Sequence, residues 1–337
     1  MQLIIRKLFI ILILIIAFSN DFSKAIATNK DFDDYGLISI MYHRFNETKY
    51  PSTNIQLDVF REQLNIIEEE GIKFIHPDNF EKSIKEKKSE RKILFTVDDG
   101  LLSFYKNAWP ILKEKKIPFV LFVSTREVGS YNYMNWDQIR ELHENENVEI
   151  GNHSHSHEYL VDEASNVIIK DIKKSIKIFK ENLGENSNFF SYPFGEYSSD
   201  FKKIIQELGF KYAFGQHSGV IDETKDLWEL PRFPINEKYG EINRFKTLMK
   251  TLPFKYKRIL PEDKYLLQSK NPPKVKIEFY ENINNLKQTT CFSNEENKWR
   301  NSKINFKEDN TLEINIVEKF IGERGRINCS LKEKNNF

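Results

Sequence analysis

Between Leu37 and Phe214 the chain alternates short apolar runs with stretches of helical period, and no other feature narrows its fold as much. Leu37–Tyr42 (LISIMY), Ile93–Val97 (ILFTV) and Pro118–Val123 (PFVLFV) lack the polar alternation of a half-exposed strand and read as strands buried on both faces. Asp58–Gly71 and Phe104–Lys116 lie between them, with apolar residues near helical spacing. The pattern continues as helix Trp136–Leu142, strand Val148–Gly151, helix Asn166–Leu183, strand Phe189–Tyr192, helix Ser199–Leu208 and strand Tyr212–Phe214. Such an order predicts an α/β fold, a mainly parallel sheet or barrel with helices outside. Its functional groups are expected at the C-terminal ends of the strands.

Past Thr251 the texture changes. Pro253, Pro261 and Pro272-Pro273 punctuate a basic stretch, and then Lys274–Tyr280, Ser302–Phe306 and Thr311–Val317 alternate polar and apolar residues. A linker over 254–271 and a small β-rich module over 272–337 are expected. The only two cysteines, Cys291 and Cys329, fall in that module. Paired, they would contribute roughly 4 kcal/mol in the chain-entropy model.

At the other end, Arg6 and Lys7 precede the apolar run Leu8–Phe18, and Ala25-Ile26-Ala27 follows. That is the pattern of a secretory signal over 1–27, cleaved near Ala27. The alternative is an uncleaved anchor, although the run is shorter than the roughly 17–25 residues a spanning helix needs. A secreted or periplasmic, cell-envelope location is expected, with membrane contact only through an uncleaved signal. Lys and Arg total 51 against 50 Asp and Glu, so nothing in the bulk charge draws the chain to nucleic acid or an anionic surface.

Chemistry concentrates at strand ends. Asp98 and Asp99 follow Phe95-Thr96-Val97 and precede Gly100, and two adjacent carboxylates there are costly unless paired or ligated. An Asx turn with a helix cap is the plainer reading of those residues. Three of the seven histidines fall within His153-Ser154-His155-Ser156-His157. His153 and His157 have the i, i+4 spacing that puts two imidazoles on one side of a helical turn, with His155 pointing elsewhere. Together with Asp99 they make a two-His, one-carboxylate set, which leaves positions open for water and substrate. Zn2+ is the default ion, with Co2+, Fe2+, Mn2+ and Ni2+ as alternatives. Ser191-Tyr192-Pro193-Phe194-Gly195 ends another strand, where the Phe194 N–H is a candidate oxyanion donor. His43, in Tyr42-His43-Arg44 at the end of the first strand, is a candidate general acid. Tyr42, Trp136, Phe194 and Tyr197 are candidates for stacking on a sugar, with core packing the commoner role for each.

In their order, FTVDDG (95–100), HSHSH (153–157) and SYPFG (191–195) resemble the polysaccharide deacetylase, or NodB-homology, family over about Gly36–Pro253. The resemblance implies a distorted, incomplete (β/α) barrel over 28–253. It also implies a divalent metal and hydrolysis of acetamido groups on sugar polymers. It gives Asp98 the role of catalytic base and makes Asp99, His153 and His157 the metal ligands. The MYHR segment is similar to the branch that deacetylates poly-N-acetylglucosamine, which gives the acid role to His43, with His217 as competitor. Ser191 stands where many members carry an arginine, and Arg232 in Leu230-Pro231-Arg232 is its candidate replacement. The implied function is a metal-dependent N-deacetylase, a hydrolase of carbon–nitrogen bonds other than peptides, whose partner is an N-acetylated envelope polysaccharide or exopolysaccharide. The alternatives are a catalytically degenerate carbohydrate-binding protein on the same scaffold and another metal-dependent hydrolase.

Overall fold

The computed structural model describes residues 35–86, 90–280 and 285–332; the expected signal segment lies outside them. Strands β1 (Leu37–Tyr42), β2 (Lys92–Val97) and β3 (Phe119–Val123) are buried along their whole length. Their unbroken apolar character follows from helices covering one face and a filled barrel interior covering the other. β4 (Val148–Asn152), β5 (Phe189–Ser191) and β6 (Tyr212–Phe214) continue the parallel sheet, and β7 (Val220–Ile221) pairs antiparallel with the start of β1. Helices α1 (Leu57–Glu69), α2 (Trp109–Lys115), α3 (Trp136–His143), α4 (Ser165–Leu183) and α5 (Ser199–Glu207) occupy the connections.

The first and last parallel strands are joined by a seam. Phe214 of β6 pairs parallel with Leu230, and three residues later β8 (Phe233–Pro234) pairs parallel with Ile40 and Met41 of β1. The sheet therefore curls into a distorted (β/α) barrel whose closure depends on the segment 230–234. Leu37, Leu94, Val120, Phe122, Phe189 and Phe214 cluster inside it, whereas Ile38, Ile40, Ile93, Phe95 and Leu121 pack with α1 and the other helices. Side chains alternate along a strand, so inner columns run Leu37-Ser39-Met41, Leu94-Thr96, Val120-Phe122 and Phe189-Ser191. Gly151 leaves room for one member, since a Cβ there would sit 2.5 Å from the Phe122 ring.

One helix differs from expectation. Phe104–Ala108 is π-helical before α2 begins at Trp109, and Pro110 in the first turn of α2 supplies no N–H to continue the preceding ladder.

The C-terminal residues form two sheets. In one, β9 (Arg258–Leu260), β10 (Val275–Glu278), β14 (Thr311–Asn315) and β13 (Lys303–Phe306) lie in that order; in the other, β11 (Thr289–Glu295) lies between β12 (Lys298–Asn301) and β15 (Ile327–Leu331). Val275, Ile277, Phe279, Leu312 and Ile314 pack between them, and a disulfide joins Cys291 and Cys329, which face each other across β11 and β15. The stretch expected as a linker thus carries a strand. Arg258 on β9 binds Glu278 through two hydrogen bonds of 2.7 and 2.8 Å, and Phe254, Tyr256 and Ile259 pack on the same core. Its prolines flank the strand without entering it.

Candidate active site

The inner columns of the barrel end in the residues singled out from the sequence. Asp98 continues the column Leu94-Thr96, and His43 continues Leu37-Ser39-Met41. The Asp98 N–H donates to the carbonyl of Tyr42, so the two residues leave their strands side by side. His153 shares the inward parity of Gly151 on β4, and Ser191 is the last residue of β5. A parallel barrel brings the C-terminal ends of neighbouring strands together, and these four positions therefore converge on one mouth.

Asp98 is fully buried, and so is the Arg232 guanidinium that it faces. Arg232 donates to both Asp98 oxygens at 2.7 and 2.9 Å, to Thr96 Oγ1 at 3.1 Å, to Ser191 Oγ at 2.8 Å and to the Gly215 carbonyl at 3.0 Å. Ser191 Oγ in turn lies 3.3 Å from Asp98 Oδ2. The rings of Phe122 and Phe214 flank the cation, with centroids 5.4 and 5.7 Å from its central carbon. Burial pushes the Asp98 carboxyl up, but Arg232 and His153 outweigh it and hold it below the ordinary range. Asp98 is thus an ionised, oriented carboxylate with a permanent counter-charge. Arg232 reaches it from the barrel seam, a different strand connection from that of Ser191, and the serine hydroxyl completes the bridge.

Asp99, next in the chain, turns away with φ of 77°. Its Oδ1 lies 3.5 Å from His153 Nε2 and 3.3 Å from His157 Nε2, and the ligand atoms of all three lie within 4.8 Å of one another. His153 Nδ1 donates to the Ser191 carbonyl at 2.6 Å, which fixes the tautomer and leaves the Nε2 lone pair aimed at the site. Two imidazole nitrogens and one carboxylate oxygen, the first imidazole braced from behind, fit a divalent cation with open coordination positions.

The two imidazoles converge by a route other than the expected helical turn. Residues 153–157 form a loop in which Ser154 and His157 take left-handed backbone, φ 69° and 51°. Side chains stand in for a helix ladder: Asn152 Oδ1 accepts from Ser154 N–H, Ser154 Oγ from His157 N–H, and the Asp171 carboxylate from His155 and Ser156 N–H. His155 does point away, with Nδ1 2.8 Å from Thr125 Oγ1.

His43 is half-buried. Burial pulls its imidazole below the ordinary value, against Asp99 and Asp98, which act in the opposite sense. His217 is exposed and offers the site only its backbone carbonyl, which accepts from Arg232 N–H at 2.9 Å. The charges that act on its ring are those of Lys264, Arg232 and Lys225, none of them a carboxylate.

Phe194 also has left-handed backbone, φ 58° and ψ 1°, and it is 37% exposed. Its ring packs on His157 and Tyr159, with centroids 4.9 and 5.5 Å apart. Two of the other aromatic candidates are core residues, Tyr42, which donates to Gln63 Oε1 at 2.8 Å, and Tyr197, which packs on Tyr192; Trp136 is half-buried and packs on Phe179. Sequence reasoning missed Arg324, a residue of the loop that precedes β15, whose guanidinium donates to the Phe194 carbonyl at 2.7 Å. No sequence signal ties residues so far apart.

Residues 85–213 match the family model described as polysaccharide deacetylase. A poly-beta-1,6-N-acetyl-D-glucosamine N-deacetylase of Staphylococcus aureus is 26% identical over 215 residues, 60% of this chain and 74% of that protein. Its counterpart in Staphylococcus epidermidis is 27% identical over 205 residues, 57% and 69%. Among solved structures, IcaB from Ammonifex degensii superposes with a TM-score of 0.60 at 24% identity, covering 66% of this chain and all of that one. The deacetylase PplD of Streptococcus pyogenes, in complex with acetate, gives 0.59 at 22%, covering 65% and all of that chain. Both solved structures share the barrel.

Proposed function

We propose that the chain, which matches the polysaccharide deacetylase family over residues 85–213 and is a hydrolase acting on non-peptide carbon–nitrogen bonds, is a secreted, metal-dependent enzyme that removes acetyl groups from a β-1,6-linked N-acetylglucosamine polymer of the cell envelope. The observation that carries the reading is the division of labour between neighbouring carboxylates. Asp98 is buried and paired with Arg232, while Asp99 faces two imidazoles. The substrate class comes from the staphylococcal relatives, and the expected signal segment supports export.

Amide hydrolysis joins the oxygen of water to the acetyl carbon and breaks that carbon's bond to nitrogen, releasing acetate and a sugar amine. A divalent ion on Asp99, His153 and His157, for which zinc is the best match to the donor set, would polarise the acetyl carbonyl and lower the pKa of water toward about 7. Asp98 takes the proton of the attacking water, and Arg232 and Ser191 hold its carboxylate in one orientation. Phe194 N–H receives the charge that develops on the carbonyl oxygen; among the described residues that N–H has no hydrogen-bond partner. His43, beside Asp98 at the mouth, delivers a proton to the departing nitrogen.

The test is acetate release from β-1,6-linked N-acetylglucosamine oligomers by the chain from residue 28 onward, with zinc or cobalt added. Release that an Asp98→Asn variant abolishes is the expected result. No release from the wild type, with one metal bound per chain, would reject deacetylation of this polymer and favour a binding protein.

A further inference from the structure

The C-terminal sheets reach the mouth of the barrel through Arg324. Arg324 lies between Phe320 and β15. Its guanidinium donates to the Phe194 carbonyl at 2.7 Å and pairs with Glu196 Oε1 at 2.6 Å. It thereby holds two residues on either side of Gly195. The turn that presents it is anchored from below: Phe320 is buried in the core of the module, and its N–H and carbonyl both bond the Asn271 side chain, at 2.9 and 2.7 Å. Gly325 lies against the Phe320 ring, where a Cβ would approach to 2.6 Å.

We propose that Arg324 is a positioning residue of the active site, holding the Phe194 N–H in the orientation that receives the developing oxyanion; this rests on the deacetylase reading above. The reason is conformational. A phenylalanine at φ 58° occupies backbone that L residues avoid, at a cost that the surroundings must offset. Proline fixes φ of residue 193 on one side of the Phe194 N–H. On the other side a charge-assisted bond to the 194 carbonyl fixes the peptide plane that follows. With the plane that follows held, φ of residue 194 is kept left-handed, and the N–H direction with it. Without Arg324, the turn keeps only the Gly195 N–H bond to the Tyr192 carbonyl at 2.8 Å and the longer Glu196 N–H bond to the Pro193 carbonyl at 3.3 Å, and the strained residue 194 samples other backbone in which its N–H turns away. The ring of Phe194 lies on His157, so the same clamp also limits how that imidazole moves. The module is thereby a working part of the catalytic mouth.

The experiment compares Arg324→Ala and Arg324→Lys with the wild type, reading kcat and KM for acetate release, amide hydrogen exchange over 193–196 and the melting temperature. An oxyanion forms only in the transition state, so the alanine variant should lose kcat about 10–30-fold with KM nearly unchanged; that is less than the roughly 10²–10³-fold cost of deleting such a donor. Exchange over 193–196 should rise, the melting temperature should hold, and lysine should restore part of the rate. Unchanged kcat and exchange would overturn the proposal. So would a rate loss that follows a fallen melting temperature and that lysine does not repair, because that is a purely structural role. If the wild type releases no acetate, the deacetylase reading fails on its own; unaltered exchange in Arg324→Ala would then still reject the clamp.

Discussion

The barrel and the C-terminal module meet their costs by opposite means. The barrel has continuous buried strands on a large apolar core, and it places a charged pair, Asp98 and Arg232, where water does not reach. It also holds Asp99, His157 and Phe194 in left-handed backbone, each at about 1–3 kcal/mol. The module is small and built of alternating strands, and a disulfide closes 38 residues of its chain. It spends little on function except at Arg324. A large core tolerates strained and charged groups at the mouth, whereas a thin two-sheet module needs a covalent tie to present one side chain rigidly.

This contrast can be broken at four points. Arg232→Met leaves a buried carboxylate without its partner, and urea unfolding of the barrel should show a loss of about 3–5 kcal/mol. A loss under 1 kcal/mol would mean that Asp98 is less enclosed than described. Replacing both cysteines by serine should cost about 2–4 kcal/mol, confined to the module and read by exchange protection of β11 and β15, with barrel strands unaffected. Equal loss in β1–β3 would show that the two regions unfold together. Gly325→Ala forces a Cβ onto the Phe320 ring and should cost about 1–2 kcal/mol in the same protection assay. Smallest is Ser191→Ala, about 1 kcal/mol from the bridge between Arg232 and Asp98, with the metal retained because the Ser191 carbonyl still orients His153. Loss of the metal in that variant would show that the hydroxyl governs His153.

Much of the barrel is legible in the chain because its strands carry an unambiguous apolar signal and its helices a clear period. Asp98, Asp99, His153 and His157 stand out because they fall at the ends of apolar strands, although the Asx-turn reading of the two carboxylates is set aside only by the ion pair and imidazoles they meet in the fold. The left-handed loop at 153–157 is not legible, because i, i+4 spacing fits a helical turn equally well and the deciding bonds come from Asn152, Ser154 and Asp171. Arg232 is legible only as a candidate: its pairing depends on how the seam 230–234 closes the sheet. In the module, β11 and β15 are rich in Thr, Asn and Ser, β12 is the charged KWRN, and their partners are fixed by tertiary pairing. Arg324 lies 130 residues from Phe194 and carries no local pattern at all.

The central claim is that two adjacent carboxylates have separate jobs, and one paired measurement tests it most directly: metal content and acetate release in Asp98→Asn and Asp99→Asn. The account predicts that Asp98→Asn keeps about one metal per chain while its rate falls by roughly 10²–10⁴, the range of a lost general base, and that Asp99→Asn loses the metal. A near-normal rate in Asp98→Asn, or full metal content in Asp99→Asn, would contradict it.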